Sequence, residues 1–167
     1  GSIAIMLLAK LGYSVTASTG RPETASYLKT LGASDIIARE DLAGKSKPLE
    51  KEIWAAVVDS VGSTTLGTAL AQTKYNGVIA ACGLAAGLDM PTTVLPFILR
   101  NVRLQGCDSV MAPMSLRERA WDDLASLLDT SLLSEVYRIE PMSNIKSLAS
   151  AILRGEIKGR VVIDVNA

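Results

Sequence analysis

Short apolar segments rich in β-branched residues alternate along the chain with helical segments of about ten residues. The run of residues 54–59 is apolar almost throughout, which predicts a strand buried on both faces. The predicted helices are residues 3–11, 22–31, 64–72, 116–128 and 145–153, and the predicted strands are residues 13–18, 35–38, 54–59, 77–82, 102–105 and 160–165. Such alternation predicts an α/β fold, a Rossmann-like doubly wound parallel sheet with helices on both faces.

The charge balance of the chain excludes several classes of function. Its 167 residues suit one domain, and 17 Lys and Arg residues offset 17 Asp and Glu residues, so the net charge is zero. A neutral chain has no general attraction for nucleic acid or for an anionic membrane surface. The chain also contains no histidine, which removes a histidine general base, a Ser-His-Asp triad and a histidine-bound metal.

The two cysteines, Cys82 and Cys107, each lie in an apolar stretch. Such cysteines are usually small buried hydrophobic residues, and two of them far apart in sequence do not indicate a disulfide scaffold or a zinc site. We expect a reducing compartment, most simply the cytoplasm. No apolar run reaches the roughly 18 residues of a membrane span, and the apolar start of the chain lacks the pattern of a leader peptide.

Ligand-binding residues of a doubly wound sheet lie just past the carboxyl ends of its strands. Arg39, after one predicted strand, either stacks on an adenine ring or is an ordinary surface arginine. The glycine within residues 59–62 permits close backbone contact with a ribose or phosphate, although an ordinary turn at the strand end explains it equally well. The segments at such positions are residues 18–21, 38–39, 59–62, 82–84 and 108–109.

The strongest local signal is the turn formed by Ser18, Thr19, Gly20 and Arg21, between a predicted strand and a predicted helix. Dinucleotide-binding folds that bind a ribose 2′-hydroxyl carry an acid at this point, and this sequence has none. Two hydroxyls, an open glycine backbone and a guanidinium suit a 2′-phosphate instead. The alternative is an ordinary turn with a solvated arginine.

The phosphate-binding glycine loop is only partly represented in the sequence. A G-x-G-x-x-G loop should precede the first helix, but only Gly1 and Ser2 come before it. These residues are either the end of such a loop or a remnant of cloning. If they end the loop, the sheet lacks its first, central strand, which belongs between the strands that end at Ser18 and Asp59. Backbone groups on both neighbouring strands then lose their partners.

Several longer segments resemble one protein family. They are residues 1–13, 19–21, 27–34, 48–51, 80–84 and 91–93, and above all residues 96–106, PFILRNVRLQG. Over essentially its whole length the chain resembles the quinone-oxidoreductase-like medium-chain dehydrogenase/reductases, specifically their acryloyl-CoA reductase branch. The segment of residues 96–106 is specific to that branch.

The resemblance implies a zinc-free reductase that uses NADPH to deliver hydride to the β-carbon of an α,β-unsaturated acyl-CoA thioester. Members of the family are usually cytoplasmic homo-oligomers. The resemblance also implies that residues 1–130 are an NADP-binding Rossmann-like domain, truncated at its N-terminus, and that residues 131–167 return to the catalytic domain. Because the family's N-terminal catalytic domain is absent, no catalytic residue is assigned, and we expect the isolated chain to be inactive.

Cofactor-binding residues follow from the same resemblance, position by position. The resemblance favours Gly1 and Ser2 as the end of the glycine loop rather than a remnant of cloning. It also places the turn of residues 18–21 at the 2′-phosphate of the cofactor. The implied residues are Gly1 and Ser2 in the loop, Thr19, Gly20 and Arg21 at the 2′-phosphate, Arg39 beside the adenosine, and Leu84, Ile98 and Ser109 along the groove toward the nicotinamide.

Two other functions stay open at this point. In the first of them, the hydride acceptor is a quinone or another enone. The sequence does not separate this from an acyl-CoA acceptor, because the acceptor pocket lies mostly outside this chain. In the second, the chain is a dinucleotide-sensing module without catalysis. Sensor domains of that kind usually accompany a DNA-reading or ion-channel partner, and the sequence shows no basic patch that would favour the former.

Overall fold

The structure is a computed structural model that describes all 167 residues. None of its helices has the length and apolar character needed to cross a membrane. The helices are α1 (Ser2–Lys10), α2 (Ala25–Thr30), α3 (Glu40–Ala43), α4 (Ser63–Gln72), α5 (Leu95–Arg100), α6 (Met114–Leu127), α7 (Leu133–Val136) and α8 (Ile145–Leu153). The strands are β1 (Thr16–Thr19), β2 (Asp35–Ala38), β3 (Trp54–Asp59), β4 (Thr73–Ala81), β5 (Arg103–Gly106), β6 (Tyr137–Pro141) and β7 (Arg160–Asp164).

The strands form three sheets, in the orders β1-β2, β3-β4-β5 and β6-β7. The pairs β3–β4, β4–β5 and β6–β7 are parallel. The predicted α/β class with parallel strands is therefore confirmed. Strands β1 and β3 belong to different sheets.

The chain divides into two compact units. The first unit consists of Gly1, Ser18–Gly20 and Ile37–Asp123. The second unit consists of Ser2–Ala17, Arg21–Ile36 and Leu124–Ala167.

The core of the first unit lies between α4 and the sheet β3-β4-β5. Helix α4 is built largely from Ala, Gly, Ser, Thr and Leu, so it is buried along most of its length. Small side chains allow neighbouring backbone to approach closely. At Gly67 a Cβ atom would lie only 2.5 Å from the carbonyl oxygen of Pro91. The buried core residues are Leu66, Ala69, Leu70, Ile79 and Val102.

The core of the second unit is formed by α1, α2 and the strand that follows α1. Gly32 follows α2 with φ +107°, a left-handed conformation that favours glycine, and a Cβ atom there would lie 2.6 Å from the Cβ of Ala9. This glycine therefore both ends the helix and lets α1 approach. The buried core residues are Ile5, Met6, Val15, Ala17, Tyr27, Leu31 and Ala33.

Strand β3 has the predicted bounds, but the prediction that both its faces are buried is wrong. Val58 is 47% exposed, although Asp59 at the end of the strand is buried. The physical reason is that only one face of β3 packs on the core: Val57 contacts that core, and the alternation of side chains along a strand places Val58 on the opposite face.

Candidate functional site

In the first unit, the end of β1 lies against Arg39, which follows β2. The backbone N–H of Arg39 donates to the carbonyl oxygen of Thr19 at 2.9 Å. A Cβ atom built on Gly20 would lie 3.6 Å from Cζ of Arg39 and 3.7 Å from its Nε and Nη1. The guanidinium therefore packs on the glycine backbone, and both residues are exposed. The result is an accessible cation beside a bare backbone segment at the ends of two paired strands.

Arg21, the next residue in the chain, belongs to the second unit and is held by the loop that follows α8. Its Nη1 donates to the carbonyl oxygens of Gly155 at 2.6 Å and of Ile157 at 3.1 Å. The backbone of Arg21 is extended, and its carbonyl accepts a hydrogen bond from Oγ1 of Thr24 at 2.7 Å. The alternative of a solvated arginine does not describe this side chain, because two carbonyls fix its guanidinium.

The hydroxyl of Ser2 also lies in the second unit, in the first turn of α1. Its Oγ is hydrogen-bonded to the hydroxyl of Tyr27 at 2.7 Å, and Nζ of Lys158 lies 4.5 Å from the centre of the Tyr27 ring. An ammonium over an aromatic face is a favourable cation–π contact. Sequence reasoning did not find Tyr27 and Lys158. The glycines at 155 and 159 that bracket the lysine were the available signal.

The turn after β3 is explained by its own hydrogen bonds. The carboxylate of Asp59 is buried and accepts from the backbone N–H groups of Val61 at 3.2 Å and Gly62 at 3.0 Å. A Cβ atom at Gly62 would lie 2.8 Å from the carbonyl oxygen of Gly87. This glycine thus serves the contact between two loops, and the ordinary turn accounts for residues 59–62.

Leu84 and Ser109 follow two neighbouring parallel strands. In the register of β4 and β5, Ala81 pairs with Gly106, so both residues lie past the same edge of the sheet. Leu84 is 59% exposed, and the carbonyl of Ser109 accepts from Nη1 of Arg117 at 2.7 Å. Ile98 lies on α5 and is 69% exposed. The shared role of these three residues in a groove stays a prediction.

The expectation that the two cysteines are buried is wrong. Cys82 and Cys107 are both free and exposed. Each comes directly after the last residue of a strand, β4 or β5, and thus beyond the residues that pack into the core of the first unit.

A family model described as "Zinc-binding dehydrogenase" matches residues 1–126. The chain belongs to this family. The residues of this chain do not fit a zinc site, because the structure brings together no group of three or more His, Cys, Asp or Glu residues that could hold a metal ion.

Comparison with individual proteins narrows the relationship within the zinc-binding dehydrogenases. Acrylyl-CoA reductase AcuI of Ruegeria pomeroyi is 50% identical over an alignment of 168 positions that covers 100% of this chain and 51% of AcuI. The yhdH oxidoreductase of Salmonella enterica, solved in complex with NADP, is 46% identical with a TM-score of 0.95, and the match covers 99% of this chain and 51% of that one.

A third relative is YhfP of Bacillus subtilis, whose name assigns it to the quinone oxidoreductases. Its structure with NAD bound matches with a TM-score of 0.92 and 41% identity, over 99% of this chain and 51% of YhfP. The resemblance to the acryloyl-CoA reductase branch is confirmed. The chain spans about half the length of the curated relatives it matches.

Proposed function

We propose that this chain is the NADPH-binding part of an oxidoreductase that reduces the C=C bond of an α,β-unsaturated acyl-CoA. Bound NADPH supplies the hydride for such a reduction, and the protein holds the dinucleotide and orients it toward the acceptor. The 50% sequence identity to acrylyl-CoA reductase AcuI supports an α,β-unsaturated acyl-CoA as the hydride acceptor. The NADP complex of the yhdH oxidoreductase supports the cofactor.

The observation that carries this proposal is the cationic, acid-free end of β1. The guanidinium of Arg39 packs on Gly20, at a position where a dinucleotide fold selective for a ribose hydroxyl would carry a carboxylate. A guanidinium there attracts a 2′-phosphate and forms charge-assisted hydrogen bonds with it, whereas a carboxylate would repel it. We therefore assign Thr19, Gly20 and Arg39 to the adenosine end of the cofactor, and we assign Arg21 to the same end from the family resemblance alone.

The remaining assignments belong to the same proposal. Gly1 and Ser2 end the glycine loop beneath the pyrophosphate, and Leu84, Ile98 and Ser109 line the groove toward the nicotinamide. Residues 1–130 form the cofactor domain, and residues 131–167 return to the catalytic domain of the intact protein. That protein is a cytoplasmic homo-oligomer.

Titration of the intact protein with NADPH and with NADH tests the proposal. We expect tighter binding of NADPH. Replacing Arg39 with alanine should weaken NADPH binding by roughly 1.5–3 kcal/mol, the scale of a charged hydrogen bond, and leave NADH binding nearly unchanged. Arg119→Ala, on the exposed face of α6, is the matched control and should change neither affinity. Equal affinity for the two dinucleotides in the unmodified protein would contradict the assignment of the 2′-phosphate site.

A second candidate function keeps the cofactor and changes the acceptor to a quinone or another enone. The similarity to YhfP, 44% identical over 165 residues, favours this alternative. Turnover of acryloyl-CoA and of a simple quinone by the intact enzyme distinguishes the two. Tight NADPH binding with turnover of neither acceptor would point to the non-catalytic sensing module.

A further inference from the structure

The two exposed cysteines of the first unit lie next to each other at the carboxyl edge of the sheet. Ala81 at the end of β4 pairs with Gly106 at the end of β5, so Cys82 and Cys107 are the next pair in the same register. The hydrogen-bond ladder continues through both residues. The N–H of Cys82 donates to the carbonyl of Asp59 at 2.8 Å, and the N–H of Cys107 donates to the carbonyl of Ala81 at 2.9 Å.

The two thiols also share one face of the sheet. Ile79 and Leu104 pair in register, and both pack into the core of the first unit, so they mark the core face. Side chains alternate between faces along a strand, which places Cys82 and Cys107 on the opposite face. Both are free and exposed there.

The spacing of paired strands suits a bond between these thiols. Neighbouring strands lie about 4.8 Å apart, and disulfides form between cysteines whose Cα atoms are roughly 4.4–6.8 Å apart. The thiol of Cys82 is 3.2 Å from the carbonyl oxygen of Asp59 on β3, so it must rotate away from that strand to reach Cys107.

We propose that Cys82 and Cys107 are a reversible oxidation site that closes to an intramolecular disulfide. The oxidant is a low-molecular-weight disulfide such as oxidised glutathione. One cysteine thiolate attacks it, forms a mixed disulfide and releases one reduced thiol. The second thiolate then attacks the protein sulfur of the mixed disulfide, forms the Cys82–Cys107 bond and releases the other reduced thiol. The protein loses two electrons and two protons, and the oxidant gains them.

The bond would tie together the two segments that follow β4 and β5. Leu84 lies two residues after Cys82, and Ser109 lies two residues after Cys107. In this respect the inference rests on the proposed function, which places both residues along the cofactor groove. A disulfide there would couple the shape of the groove to the redox state of the cell, and disulfides of this transient kind are the ones found in the cytoplasm.

Peptide mapping after treatment with oxidised glutathione tests the proposal. We expect one new species in which tryptic peptides 75–100 and 104–117 are linked, with a mass lower than their sum by two hydrogen atoms. Dithiothreitol should separate them. Cys82→Ser and Cys107→Ser should each retain a stable glutathione adduct on the remaining thiol, because no second thiol is in reach.

A matched control moves one thiol along the same face. Cys107→Ser combined with Gln105→Cys keeps two thiols facing the same side, but two residues of offset put their Cα atoms about 8 Å apart, too far for a disulfide. This variant should carry two adducts and no link. Two adducts in the unmodified protein, or an equally rapid link in the control, would overturn the proposal. The mapping needs no cofactor, so a failure of NADPH binding would overturn the proposed function and leave the cross-link standing.

Discussion

The guanidinium of Arg100 binds three backbone carbonyls of the first unit. Its Nη1 donates to the carbonyls of Ala71 at 2.7 Å and Thr73 at 3.3 Å, and its Nη2 donates to the carbonyl of Glu50 at 2.5 Å. The side chain is only 14% exposed, and its Nε lies 3.6 Å from the carboxylate of Glu52. Removing it would take these donors away from partly buried carbonyls, of which that of Ala71 still accepts from the N–H of Glu50 at 2.9 Å, and each hydrogen bond to a charged group contributes about 1.5–3 kcal/mol.

We therefore expect Arg100→Ala to lower the free energy of unfolding by about 2–4 kcal/mol, measured by urea denaturation. The matched control is Arg154→Ala, whose guanidinium pairs with Glu156 at the exposed surface. Exposed ion pairs contribute little, so this control should be nearly neutral. Equal effects of the two substitutions would show that the carbonyl contacts of Arg100 do not stabilise the fold.

The free energy of unfolding of the second unit depends on pH through the carboxyl group of Asp129. The hydroxyl of Ser131 at 2.6 Å, and then its backbone N–H at 3.0 Å, hold the pKa of the Asp129 carboxyl below its ordinary value. A lowered pKa in the folded state stabilises the fold above the unfolded pKa, and this contribution disappears as the pH falls through the folded pKa.

Asp129→Asn should therefore flatten the acid side of a plot of unfolding free energy against pH, and Ser131→Ala should flatten it in part. NMR titration of the Asp129 carboxyl group in the unmodified protein and in Ser131→Ala gives the pKa directly. A pKa that does not rise when the serine hydroxyl is removed would contradict this account.

Residue contacts were predictable from the sequence where they follow the general geometry of a sheet. The rule that ligand-binding residues follow strand ends located Gly20 and Arg39, and the structure brings those two together. The bond from Arg21 to the carbonyl of Gly155 was not predictable, because the residues are 134 positions apart and backbone carbonyls leave no trace in a sequence. The exposure of Cys82 was mispredicted because an apolar neighbourhood says little about the residue just past a strand.

Helices and strands whose apolar residues recur with a clear helical or strand period were predicted well, and those without such a period were missed. Strand β2 (Asp35–Ala38) and helix α8 (Ile145–Leu153) have the predicted bounds. Helix α5 was missed because residues 91–96 contain two prolines, yet Pro96 occupies the first turn of the helix, where proline needs no hydrogen-bond partner. Strand β6 was missed because Arg138 and Glu140 interrupt the apolar run that would indicate a strand. Its pairing with β7 uses backbone groups, which the side chains do not reveal.

Two glycines in the loop between α8 and β7 allow the free-energy cost of a left-handed backbone to be measured separately from the cost of a steric clash. Gly155 and Gly159 have φ values of +74° and +64°. A Cβ atom at Gly155 would meet nothing within 4 Å, whereas one at Gly159 would clash with the carbonyl oxygen of Val136. The two positions thus share the left-handed backbone and differ in the space around it.

We expect Gly155→Ala to lower the free energy of unfolding by about 1–2 kcal/mol, the cost of a left-handed alanine. Gly159→Ala should cost roughly 1–3 kcal/mol more, because backbone must move to admit the methyl group. Urea denaturation of both variants measures the difference. A Gly159→Ala variant as stable as Gly155→Ala would show that the loop relaxes freely, and the loop would then be a poor anchor for Arg21.

At the scale of the whole molecule, both units expose large apolar side chains. In the first unit Leu88 is 86% exposed, Val110 83% and Met111 80%, and in the second unit Leu153 is 88% exposed. Contiguous exposed apolar side chains mark contact regions, and Val110 and Met111 are neighbours in sequence. Their exposure supports the proposal that the chain works within a larger oligomeric protein.

Catalysis should therefore require more than this chain. Hydride transfer depends on holding the acceptor about 3–3.5 Å from the dinucleotide in the correct orientation, and the proposed acceptor contacts and proton donor lie outside residues 1–167. We expect the isolated chain to turn over acryloyl-CoA at least about a thousandfold more slowly than the intact protein, since loss of orientation alone costs that much. The decrease of NADPH absorbance at matched cofactor occupancy measures both rates. Comparable rates would place the acceptor pocket within this chain, and the groove beside Leu84 and Ser109 would then be the region to search for it.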